Sequence, residues 1–68
     1  MKDARFDCLC DMGRRVMAFR GGKPDAYDWK AVFANVNVDK IWSNKQKIFD
    51  TVTRRVDALL SKEDKHHG

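Results

Sequence analysis

The run from Ser43 to Ser61, SNKQKIFDTVTRRVDALLS, constrains the fold more than any other part of the chain. Ile48, Phe49, Val52, Val56, Leu59 and Leu60 recur at intervals of three and four, the repeat that lines one face of an α-helix. At about 100° per residue these side chains fall within an arc of about 120°, and Lys47, Asp50, Arg54, Asp57 and Ser61 take the other side. Ser43 followed by Gln46 has the form of a capping box, whose hydroxyl and amide satisfy two of the amide hydrogens left unpaired where a helix starts. The pattern predicts a helix over 44–61, and the remaining residues must cover its apolar stripe.

Residues 2–20 supply the first cover. Phe6, Leu9, Cys10, Gly13, Val16 and Met17 line one arc, opposite Asp3, Asp7, Asp11 and Arg14, which predicts a helix over about 3–20. Gly13 within the apolar arc costs about 1 kcal/mol of helix propensity, and the expected compensation is close approach of another helix. The first and last helices are therefore expected to pack together near Gly13. Gly21 and Gly22 end the first helix by supplying left-handed backbone. Lys23-Pro24-Asp25 then reads as a turn into a helix over 26–36 of two to three turns, with Trp29, Val32, Phe33 and Val36 on one face.

Between Asn35 and Trp42, Val36 and Val38 alternate with Asn in a strand-like way, but an isolated strand has no partner in so short a chain. A turn followed by one helical turn at 38–42 is the expectation. The predicted fold is all-α, a small three-helix bundle with a short extra helical turn between helices 2 and 3. Its expected core comprises Phe6, Leu9, Val16, Met17, Trp29, Val32, Phe33, Ile41, Ile48, Val52, Val56 and Leu59. The single domain is expected over 1–62, and the charged stretch over 63–68 is expected to be a disordered polar tail.

Sixty-eight residues sit near the lower limit for one self-sufficient core. A stability of about 3–5 kcal/mol is the expectation, so a homodimer or a partner is a natural source of extra support. No membrane partner is expected, because the apolar runs are too short to span a bilayer and charges are scattered through residues 1–20. Cys8 and Cys10 point about 160° apart on a helix and are badly placed to bond each other. A reducing, cytoplasmic setting is expected.

Chemistry has few footholds. Cys8 and Cys10 with His66 and His67 make a zinc set only on paper, because two ligands diverge on a helix and two lie in the tail. No metal or cofactor is expected. No glycine-rich loop follows a strand, no histidine lies within the predicted helices, and the aspartates fall at caps and solvent faces, so the chain is not expected to be an enzyme.

Two surfaces remain. Cys8, Met12 and Phe19 fall within about 40° of one another on the first helix, roughly opposite its core face. With Arg15 they form a stripe of residue types enriched at protein contacts. The expected function is that of a small non-catalytic regulatory or inhibitory protein acting through this helical surface. The size also fits the accessory proteins that phages and mobile elements use to modify a host enzyme.

The alternative is a small basic nucleic-acid-binding protein, helix-turn-helix-like, contacting phosphates through Lys45, Lys47, Arg54 and Arg55, with Arg14, Arg15 and Arg20 beside them. The formal charge of +4 permits it. Against it, pairs such as Asp50 with Arg54 and Arg54 with Asp57 have the spacing to neutralise that face internally.

Overall fold

The computed structural model describes residues 3–65, and side chains over 3–62. The described chain is all-α: α1 spans Ala4–Phe19, α2 Trp29–Val32, α3 Val38–Trp42 and α4 Lys45–Lys65, with a 3-10 turn at Pro24–Ala26 before α2. Every α-helix starts on an Asp or Asn whose carboxylate or amide oxygen accepts from the first turn. Asp3 accepts from the Arg5 amide at 2.9 Å, Asp28 from Ala31 at 3.4 Å, Asn37 from Lys40 at 3.2 Å and Asn44 from Gln46 at 2.9 Å. These short side chains relieve the orphan amide donors of a helix start. The Arg5 side chain also bonds Asp3, and this contact holds the Asp3 carboxyl below the usual carboxylate range. The α1 cap thus stays ionised to lower pH than a free aspartate would.

The helix ends are equally local in origin. After Phe19 the Gly21 amide donates to Ala18 O at 3.0 Å and the Gly22 amide to Met17 O at 2.9 Å. This double closure requires left-handed backbone at Gly21, where φ is +83°. Gly22 has a different reason to be glycine: a Cβ there would run into the Met17 sulfur.

Several boundaries differ from expectation. The helix predicted over 26–36 is a 3-10 turn followed by the single turn of α2, because Asp28 adopts extended backbone and starts α2 anew. The chain is therefore two long helices joined by a wrapped connection, rather than three rods. The helical turn at 38–42 forms as predicted. Ser43 does not cap the last helix; it closes α3, and Asn44 caps α4 while the Gln46 amide reaches forward to Asp50 at 3.0 Å. Replacing Asn44 with Ala is expected to cost about 1 kcal/mol in urea unfolding, and Ser43→Ala a few tenths. Equal costs would mean that the cap is misassigned. Helix α4 also runs past Ser61 to Lys65, and residues 66–68 lie outside the described residues.

Two contacts define how the long helices meet. Arg5 near the start of α1 pairs with Asp39 of α3, just ahead of α4, at 2.7 Å. Arg20, at the end of α1, pairs with Asp57 in the second half of α4. The long helices consequently run in the same direction, and residues 20–44 carry the chain back along them.

Leu9 and Met17 of α1, Trp29 and Phe33 of the connection, and Ile48, Val52 and Val56 of α4 form the buried core. The other expected core residues, Phe6, Val16, Val32, Ile41 and Leu59, are half-buried against it. Gly13 serves a different partner from the one expected. A Cβ on Gly13 would lie 2.8 Å from the Trp29 ring and 3.0 Å from that of Phe33, so the gap admits the connection's aromatics rather than α4. Trp29 stacks at 25° on Phe33 with centroids 6.1 Å apart, and its indole N–H donates to Pro24 O at 2.7 Å. Placing an indole in a core requires such an acceptor.

Candidate functional site

The apolar stripe foreseen on α1 is only partly formed. Phe19 is 93% exposed, an extreme value for phenylalanine at the end of a packed helix. Across from it stands Phe49 of α4, 53% exposed. The sequence pattern had included Phe49 in the apolar arc, but it falls at the edge of that arc. Val52 and Val56 of the same arc are fully buried, and Phe49 is left on the flank.

Between the two helices Arg15, Val16, Phe19, Arg20, Phe49 and Thr53 line an open groove. Its floor is apolar and its charged rim is internally balanced. Arg15 pairs with Asp11 at 3.2 Å and Arg20 with Asp57, all four partly exposed. The Thr53 hydroxyl donates to the Asp50 carbonyl at 3.1 Å within its own helix, so it needs no acceptor in the groove.

Of the four residues predicted to bind a protein, Arg15 and Phe19 line this groove and Cys8 and Met12 do not. Cys8 is exposed further along α1. Met12 is half-buried against the core, because its phase on the helix is only about 40° from that of Val16, which puts it at the border of the core arc rather than opposite it. Val16, Arg20, Phe49 and Thr53 are the residues missed. Val16 was expected in the core and Arg20 in the basic cluster, Phe49 stood toward the rim of the apolar arc, and Thr53 carried no signal.

The basic residues are also redistributed. Arg14 pairs with Asp25 at 3.2 Å, and with Arg15 and Arg20 likewise paired, no continuous strip joins them to α4. Lys45 points about 160° away from Lys47 on α4. Arg55 is half-buried and donates to the Asn35 side-chain carbonyl at 3.1 Å. The anticipated pairs within α4 do not form: Asp50 accepts from Gln46, and Asp57 takes Arg20. Lys47 and Arg54 remain exposed on one side of the helix, in a shallow depression that Ile41, Asp50 and Thr51 also line.

Cys8 and Cys10 are both free thiols, and burial raises the pKa of Cys10. Among the described residues no three His, Cys, Asp or Glu side chains converge as metal ligands. His66 and His67 lie outside the described residues. No helix among the described residues is long and apolar enough to cross a membrane. No protein-family model, curated protein or solved structure matches the chain.

Proposed function

We propose that this chain is a non-catalytic regulatory or inhibitory protein that docks another protein in the groove between α1 and α4. The observation that carries the reading is the pairing of Phe19, 93% exposed, with Phe49, 53% exposed, over one apolar floor. Two aromatic rings held on rigid helices lose little entropy on binding, which is why such residues anchor protein contacts. The rim narrows the kind of partner. Because Asp11 with Arg15 and Arg20 with Asp57 already neutralise each other, the groove favours an apolar side-chain cluster edged by mixed charge over a strongly acidic or basic peptide. Action in the cytoplasm, as an accessory protein of a phage or mobile element, is the setting we propose; the free thiols of Cys8 and Cys10 suit it.

The test uses tagged wild-type chain and a Phe19→Ser, Phe49→Ser double variant in nuclease-treated host lysate. Both positions are exposed, so the variant is expected to keep its helical circular dichroism. Loss of two anchors is expected to weaken a partner by about 2–4 kcal/mol, enough to remove it from a pull-down. A folded double variant that retains every protein held by the wild type overturns the proposal. Sedimentation supplies the other decisive outcome: a wild-type dimer broken by the same substitutions would make a second copy the occupant and overturn the reading of a different partner.

A further inference from the structure

We propose that the outer face of α4, carrying Lys47, Arg54 and Lys62 with Arg55 at its edge, binds the sugar-phosphate backbone of duplex nucleic acid. The first support is the way the fold sorts its charges. Every ion pair among the described residues takes its cation from Arg5, Arg14, Arg15 or Arg20, and none takes one from α4. The carboxylates that helix spacing offers Arg54 are engaged elsewhere: Asp50 accepts from Gln46, and Asp57 pairs with Arg20 across the helix interface. Local pairs (Arg5 with Asp3, Arg15 with Asp11) and tertiary pairs (Arg5 with Asp39, Arg14 with Asp25, Arg20 with Asp57) thus neutralise the arginines of the α1 side, and those of α4 have no ion-pair partner among the described residues.

The second support is phase. At about 100° per residue Lys47, Arg54, Arg55 and Lys62 fall within an arc of about 100°, shared with Thr51 and Ala58. Asp57 falls outside that arc, and Asp50 sits about 40° beyond its Arg54 edge, where it lines one depression with Lys47 and Arg54 and leaves cations in the majority on this face. It faces roughly opposite to Phe49, so this surface is separate from the aromatic groove. At about 1.5 Å per residue the stripe from Lys47 to Lys62 extends about 22 Å. A duplex presents one charge per ~1.7 Å of axis, so several phosphates lie within reach of its lysine and arginine side chains. Arg55, bonded to Asn35 through one guanidinium nitrogen at 3.1 Å, is held at the edge of the stripe with its other N–H groups able to donate. Such contacts read charge and spacing, so affinity without base preference is expected.

The experiment is fluorescence anisotropy of labelled short duplex DNA with the full chain across a potassium chloride series. Binding is expected to weaken with salt at a log–log slope of about −3, the value for three to four neutralised phosphates. A Lys47→Glu, Arg54→Glu, Lys62→Glu triple variant with unchanged circular dichroism is expected to lose at least about tenfold in affinity at low salt. The control, Lys23→Glu, Lys30→Glu, Lys40→Glu, makes the same change in net charge on the connecting segment and is expected to lose much less. Three outcomes overturn the proposal: no DNA binding at low salt, equal losses in the two triple variants, or tighter binding to phosphatidylserine vesicles than to DNA.

Discussion

Phe33→Ala is expected to leave the chain substantially unfolded at room temperature. Phe33 is fully buried, stacks on Trp29 and lies against Gly13 of α1, so it fills the centre of the core from the connecting segment. Truncating a buried phenylalanine costs about 3–5 kcal/mol, part from lost transfer free energy and part from the cavity left behind. A single-core domain of this size commands about the same total. The measurement is far-ultraviolet circular dichroism through a urea titration, in which the variant should lack a native baseline. Phe33→Leu keeps most of the volume and should stay folded with a loss of about 1–1.5 kcal/mol. A cooperative transition for Phe33→Ala close to that of the wild type would show that the core is centred elsewhere.

Gly13→Val is expected to cost about 2–3 kcal/mol, although the substitution replaces a poor helix former with a better one. Position 13 lies within α1, so a helix-propensity argument alone predicts stabilisation by a few tenths of a kcal/mol. Packing opposes it. The first added carbon would already lie 2.8 Å from two atoms of the Trp29 ring. Neither ring can yield as the tip of a flexible chain would: Trp29 is held by its bond to Pro24 O, and Phe33 is fully buried. Valine adds two further methyls to that contact, and the aromatics must shift from the core or α1 must move away. Urea midpoints measure the loss, and a change in tryptophan emission, read in a Trp42→Phe background so that Trp29 is the one emitting indole, reports its displacement. Unchanged stability with unchanged emission would mean that the close approach does not exist in solution.

Both predictions concern the connecting segment, the part of the chain least legible in advance. Its aromatics were expected in the core, but its division at Asp28 was not. A continuous repeat of Trp29, Val32, Phe33 and Val36 looks like one helix until the backbone at Asp28 is known to be extended. The cap of α4 slipped by one residue for a similar reason. Ser43 and Asn44 are both competent caps, and the choice fell to Asn44 because Ser43 is occupied in closing α3.

Periodicity and cap chemistry alone establish an all-α chain with two long amphipathic helices, a helical turn at 38–42 and all seven of the buried core side chains. These properties depend on contacts between residues three or four positions apart, which lie together in any sequence that forms a helix. Tertiary structure alone decided that α1 and α4 run in the same direction, that Gly13 receives Trp29 and Phe33, and that Phe49 joins Phe19 on the surface. It also decided that Arg5 reaches Asp39, Arg14 reaches Asp25 and Arg20 reaches Asp57. Each of those outcomes depends on which of several equivalent faces meet once the chain closes on itself, and a local repeat is the same whichever way the helices are brought together.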